Sequence, residues 1–163
     1  MKTAKRRRRE YKTDYLKRLK LLKSNYPRIV FRRTNKYIIA QYVTSKQAQD
    51  KIDLGVNSKS LMKYGWPKKS IGSLKSIPAS YLTGLLMGRK ITKENIKGKI
   101  IVDFGMYRVM NKKRIYAFLK GLIDSGVKLK YKEENFPSEE RIKGEHLKNK
   151  IPFNDIKFNI EKN

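Results

Sequence analysis

Four consecutive arginines, Arg6, Arg7, Arg8 and Arg9, stand among Lys5, Lys12, Lys17, Arg18 and Lys20, so nine cations fill the sixteen positions 5–20. Only Glu10 and Asp14 oppose them there. A guanidinium is a planar fork that matches phosphate oxygens and also stacks on bases. Tyr11 and Tyr15, threaded between the cations, add stacking surface. Each neutralised phosphate releases condensed counterions, so such a segment gains affinity for nucleic acid with little sequence information. A solvated basic tail and a polybasic membrane anchor compete with this reading. The chain has no lipidation motif and no long amphipathic face to support the anchor.

A second cluster lies in "RIVFRRTNKYIIAQY", residues 28–42. Two β-rich runs flank Thr34-Asn35-Lys36, a short connection in which Asn can take a positive φ, so a hairpin is expected. Arg28, Arg32, Arg33 and Lys36 are expected to converge near its turn. Ile29 and Phe31 share one face of the strand, with Val30 and Arg32 on the other. Asn35 can bond phosphate or base edges and Tyr37 can stack. The bland alternative is an edge strand protected by charge. A third stretch, "KYGWPKK", sets Tyr64 and Trp66 among Lys63, Lys68 and Lys69. Aromatics between cations suit irregular RNA. Trp66 itself reads as core, since large rings pack.

Catalysis finds less support. Asp53, Asp103 and Asp124 are the candidate carboxylates for a nuclease-type metal site. Nothing in their spacing brings them together, and structural roles are the expectation. His146 has no partners. Gly84 and Gly88, four apart, read as close packing between helices. No P-loop or Gly-x-Gly-x-x-Gly is present, so neither nucleotide nor metal nor other cofactor is expected.

These groups need elements to hold them. Residues 1–10 lack apolar periodicity and are expected to be disordered when free. A helix is expected over 13–24, capped by Thr13, with Tyr15, Leu19 and Leu22 as its apolar stripe. After the hairpin, a third strand is expected over 50–56 and a short helix near 59–64. A helix over 78–89 starts at Pro78. "KIIVDFG", 99–105, reads as a buried strand. A helix over 111–125 faces inward with Ile115, Phe118, Leu119 and Leu122 and stops at Gly126. "VKLKY", 127–131, alternates like a last strand, parallel to the previous one across a right-handed crossover. Ser138 caps a helix in "FPSEERIKGEHL", and residues from Asn149 onward look irregular. The expected fold class is therefore α/β: a mixed sheet of antiparallel hairpin strands plus a parallel strand–helix–strand unit, with packed helices. The expected division is a basic arm and helix at 1–24, a mixed α/β RNA-binding domain at 25–131, and a C-terminal helix and tail at 132–163.

Composition sets the frame. The 163 residues carry 41 Lys and Arg against 14 acids, a formal net charge of +27. Ten of the 14 acids lie from Glu94 onward, so the first half supplies most of the basic surface. Charge on that scale opposes compaction and calls for a polyanion as partner. The absence of cysteine removes disulfides and fits a reducing compartment. No signal peptide and no membrane-spanning stretch is visible, and a cytoplasmic protein without a membrane partner is expected.

The strings "RRRREYKTDYLKRLKLLKS", "RIVFRRTNKYIIAQYV", "YGW", "IPASYLTGLL", "IIVDFG", "FLKGLIDSGV" and "FPSEERIKGEHL", in that order, resemble the archaeal form of large-subunit ribosomal protein eighteen. Large-subunit protein five is its eukaryotic relative. The likeness runs from Lys5 to Leu147. It implies a ribonuclease-H-like fold with a basic N-terminal extension and no enzymatic activity. It implies binding to 5S ribosomal RNA and its attachment to 23S RNA in the central protuberance of the large subunit. Neighbouring ribosomal proteins, including the other 5S RNA binder, are implied partners, and a homo-oligomer is not. By the same resemblance the RNA-contacting hairpin maps to Arg28, Arg32, Arg33, Asn35, Lys36, Tyr37 and Gln41. The extension maps to Arg6 through Arg9, Lys12, Tyr15 and Arg18. "QDKIDLGVNSKSL" and the tail after Leu147 depart from the family pattern. The competing functions are a carboxylate-dependent nuclease on the same fold and a basic DNA-compacting protein.

Overall fold

"RIVFRR" holds three consecutive β-formers between cations, with Ile29 and Phe31 on one face and Arg28, Val30 and Arg32 on the other, and it forms an inner strand of the sheet. The computed structural model describes residues 3–96, 98–147 and 149–162. Strand β1, Arg28–Arg33, pairs antiparallel with β2, Ile38–Lys46, which pairs antiparallel with β3, Gln49–Asn57. A fourth strand, β4, Ile101–Asp103, runs parallel to β1, giving the order β3-β2-β1-β4. The register Arg28↔Val43 to Arg33↔Ile38 puts Ile29 and Phe31 on the covered face, both buried.

Asn35 does not use a left-handed conformation; Thr34 closes the first turn, its N–H and Oγ1 both donating to the Tyr37 carbonyl. The left-handed residues are Gln47 and Ala48, φ 49° and 65°, which make the two-residue link between β2 and β3. Such links need positive φ at both centres, because only that twist matches the flanking strands. The ladder slips between Tyr42 and Val43, leaving Asp53 as the extra residue of a bulge.

Two helices cover one face. Helix α3, Ile77–Lys93, starts with Ser76 as cap and Pro78 in its first turn. Helix α4, Arg114–Asp124, buries Ile115, Phe118 and Leu122, with Leu119 packed at the margin, and ends before left-handed Gly126. The two helices touch at glycines. A Cβ on Gly84 would stand 2.2 Å from the Phe118 carbonyl oxygen, and one on Gly121 would stand 2.1 Å from that of Tyr81. Gly84 and Gly88 are therefore packing residues, as their spacing suggested. Phe31 meets Phe118 with ring centroids 4.9 Å apart, joining sheet to helices. Trp66 is core, its Nε1 donating to the Ser70 carbonyl. The short helix near 59–64 is present as a 3-10 helix, Ser58–Tyr64.

Three expectations are corrected. Residues 127–131 form no strand, and the parallel pair is β1 with β4. Val127 spends its N–H on Leu122, closing α4, while Val127 and Leu129 turn toward the core. One-sided burial produces the alternation without any ladder. The tail is not irregular: α5, Glu139–Lys143, is followed by α6, Phe153–Lys162. Phe153, Ile156 and Ile160 of α6 are buried, and Phe153 stacks at 5.5 Å on Tyr81 of α3. Burial of each such side chain contributes about 1.5–3 kcal/mol.

The third correction concerns the N-terminal helices. Helix α1, Arg6–Arg9, is a single turn with no buried residue, where an unstructured segment was expected. Met1 and Lys2 of that segment lie outside the described residues. Helix α2, Tyr15–Lys23, is capped by Asp14, whose carboxylate accepts from the Lys17 N–H at 3.1 Å; Thr13 instead accepts from Arg7. Of the expected stripe, Tyr15 and Leu22 are half-buried but Leu19 is exposed, and Lys17, Arg18 and Leu21 are half-buried in addition. Polar anchors, not an apolar stripe, decide how α2 sits.

Candidate nucleic-acid interface

Helix α2 lies over the sheet face that carries Arg28 and Arg32. Lys17 Nζ donates to the Gly105 carbonyl at 2.8 Å, beyond the end of β4. Arg18 reaches the β2–β3 side, donating to Asp50 at 2.9 Å. Asp50 also accepts from Arg28 at 2.6 Å and from the Ser45 hydroxyl at 2.7 Å. Burial raises the Asp50 carboxyl, but the Ser45 hydroxyl and the two guanidinium groups outweigh it and hold the group below its ordinary value.

Arg28 is 2% exposed and lies at the end of β1 away from the turn, about 16 Å of strand from Arg33. The expected convergence of Arg28, Arg32, Arg33 and Lys36 near the turn is therefore corrected. Alternation divides β1, so Arg28 and Arg32 point to one face and Arg33 to the other. Arg28 binds β1 to the start of β3 and is not a surface group.

Arg32 is tied just as firmly. It donates to the Asp103 carboxylate at 2.7 Å and to the Asp103 carbonyl at 2.9 Å. The second Asp103 oxygen accepts from the Gly105 N–H at 2.7 Å. Burial raises the Asp103 carboxyl, and Arg32, Gly105 and the Lys17 charge together pull it below the usual range. Gly105 has φ +62°, and a Cβ there would stand 3.0 Å from the Arg32 guanidinium carbon. A side chain at 105 would disturb the pair.

The remaining candidates are at the surface. Lys5, Arg6 to Arg9 and Lys12 are exposed, opposed locally only by Glu10. Lys5 Nζ sits 4.9 Å above the Tyr15 ring. Arg33, Asn35 and Lys36 are exposed at the hairpin tip, with Tyr37 half-buried beside them; Gln41 is half-buried in mid-β2. Lys63 and Tyr64 lie on the 3-10 helix that packs against α3 and α6, and Lys69 follows it. The structure thus gathers the arm and α2 on one sheet face, and it puts the 63–69 group beside the C-terminal helix instead.

The three carboxylates of a nuclease reading stay apart. Asp103 is engaged by Arg32, Asp53 accepts from Thr44 at 2.8 Å, and Asp124 accepts from the Tyr81 hydroxyl at 2.7 Å. Burial first, and then Asp124, push the Tyr81 hydroxyl well above the ordinary phenol value. Among the described residues no group of three or more His, Cys, Asp or Glu is placed to hold a metal. No described helix is long and apolar enough to cross a membrane.

Sequence reading missed one group. Tyr107, Arg108, Lys113 and Arg114 surround Arg33 at the far side of β1. Arg33 stacks over the Tyr107 ring at 5.6 Å, and the Tyr107 hydroxyl donates to the Arg33 carbonyl. The available signal was "YRVMNKKR" at 107–114, a basic run with an aromatic at its head.

The sequence model of a family described as ribosomal large subunit proteins 60S L5 and 50S L18 matches residues 1–100. The large ribosomal subunit protein uL18 of Korarchaeum cryptofilum is 46% identical over 142 residues, 87% of this chain and 70% of the relative. The uL18 of Methanoregula boonei is 42% identical over 158 residues, 97% of this chain and 86% of the relative. That of Methanospirillum hungatei is 39% identical over 147 residues, 90% of this chain and 81% of the relative. These relatives are structural proteins of the ribosome and not enzymes, which sets the nuclease alternative aside. The chain belongs to the family of large-subunit ribosomal proteins that comprises 60S L5 and 50S L18.

Proposed function

We propose that this protein binds 5S ribosomal RNA and attaches it to 23S RNA in the central protuberance of the large subunit. One observation carries the reading. The arm from Lys5 to Lys12 is wholly exposed and cationic, yet its root is fixed to the folded domain through Lys17–Gly105 and Arg18–Asp50. An exposed polycation on an anchored root can lie between RNA helices, and the counterions it releases drive its binding. Exposed 2′-hydroxyls and the shallow minor groove of A-form helices favour RNA over DNA. Tyr15 adds a contact at the root of the arm, Arg33, Asn35, Lys36, Tyr37 and Gln41 add contacts at the hairpin, and Lys63, Tyr64 and Lys69 form a separate group. Arg18, Arg28 and Arg32 serve this surface by holding it in place.

The finer features of the reading follow from the family. The order of three antiparallel strands and a parallel fourth supports a ribonuclease-H-like topology. Residues 1–24 act as the arm, 25–131 as the RNA-binding domain, and 132–163 as its closing segment. The protein works in the cytoplasm as one copy per particle, beside other large-subunit proteins that include the second 5S RNA binder. The test is a titration of the full chain with a 5S RNA transcript across salt concentrations. Removing residues 1–10, which carry six cations, Lys2 and Lys5 to Arg9, should flatten the slope of log affinity against log salt by about 4.2–5.4. An unchanged slope, or equal affinity for duplex DNA of matched length, would refute the proposal.

A further inference from the structure

The loop 104–113 and the start of α4 enclose a cleft of about 390 Å³ beside the end of β1. Arg33, Arg108, Lys113 and Arg114 line it, with Tyr107 and Met110 between them. None of these four cations forms an ion pair among the described residues. The Arg114 Nε is buried and finds no hydrogen-bond partner. Burial, and then the nearby Arg33 charge, lower the Arg114 pKa, so the crowding of like charges is unrelieved. Lys113 gives α4 no side-chain cap, and the first turn of α4 holds no acid, leaving its first amides open to an anion. Met110 is exposed on the same loop, as are Met106 and Val109.

Cations crowded at this density are stable when an anion with several acceptor oxygens sits among them. The apolar surface beside them suits more than a bare ion. We propose that this cleft binds a backbone phosphate of an RNA strand, with the attached nucleoside against Tyr107 and Met110. Arg33 leaves β1 on the face opposite Arg32, so this is a second RNA contact, across the sheet from the arm. Strands on both faces would grip the β1–β4 end of the sheet. The inference rests on the RNA-binding reading above and deepens it.

The test is the double variant Arg108→Gln/Arg114→Gln in the full chain, titrated against a 5S transcript and against protein-free large-subunit RNA. With at least one of these RNAs the log–log salt slope should flatten by about 1.4–1.8, two charges at roughly 0.7–0.9 each. The variant Lys128→Gln/Lys162→Gln, with the same charge change elsewhere, should flatten it by less than half as much. Tyr107 should also photo-crosslink to 4-thiouridine in the bound RNA. Unchanged slopes with both RNAs, at an unchanged unfolding midpoint, overturn the proposal. So does quenching of Tyr107 by inorganic phosphate at slopes that do not change, which marks a free-phosphate site. A chain that ignores 5S RNA but shows the cleft-dependent slope with large-subunit RNA refutes the 5S reading and upholds the cleft.

Discussion

Arg32 and Arg33 are neighbours in β1, face opposite sides of the sheet and keep different company. Arg32 donates three hydrogen bonds, one to the Asp103 carboxylate and two to carbonyls, and so belongs to the scaffold. Its face also holds Arg28 and Arg18, both spent on Asp50. Arg33 has a ring beneath it and further cations around it, without an acid. A cation paired with a buried carboxylate has already met its anion, so it stabilises the fold and offers little to RNA. A cation crowded among its own kind is costly for folding and available for binding. Net charge alone does not separate the two.

That contrast can be broken by experiment. The largest effect should come from Asp103→Ala, which strands the Arg32 guanidinium and the Gly105 N–H. We expect a loss of about 2–3 kcal/mol, read as a lower urea midpoint. A loss below 0.5 kcal/mol, the ordinary range for a surface change, would mean the pair is ornamental.

Acid should act on the paired face next. Asp103 and Asp50 both have folded-state pKa values below the ordinary 3.8. A depressed carboxyl contributes stability that is fully present above its unfolded value and is lost as pH falls through the folded value. Thermal midpoints should therefore fall as pH drops below about 4. Asp103→Asn should remove part of that dependence. An identical acid profile in the variant would contradict the assignment.

A smaller effect is expected at the β2–β3 turn, whose Ala48 carbonyl accepts from Arg18. Ala48→Gly removes the cost of a left-handed alanine, and we expect a gain of about 0.5–1 kcal/mol in chemical denaturation. The smallest change in stability should follow Arg108→Gln on the unpaired side, within about 0.5 kcal/mol of the parent. Marked destabilisation there would show that the cleft cations are structural and erase the contrast.

Much of the architecture was legible in the chain. The β-rich run "RIVFRR", Pro78 at a helix start and the Ile115–Phe118–Leu122 spacing are each local signals, which need no partner to be read. Phe153, Ile156 and Ile160 carried the same signal at i, i+3, i+7, so α6 was available to the same reasoning. The alternation of 127–131 misled, because period two reports one buried side and is silent about pairing. The arm was legible as charge, while α2 was not legible as a docked helix, since its anchors are Lys17 and Arg18 reaching residues distant in sequence.

By itself the sequence determined the polyanionic partner, the family and most of the secondary elements, because composition and short-range periodicity are properties of neighbouring residues. Tertiary structure alone decided which arginines are free. An arginine is satisfied only when a carboxylate arrives within hydrogen-bond reach, and the partners of Arg28 and Arg32, Asp50 and Asp103, lie 22 and 71 residues away along the chain. The cleft around Arg33 depends in the same way on a loop that folds back from beyond β4.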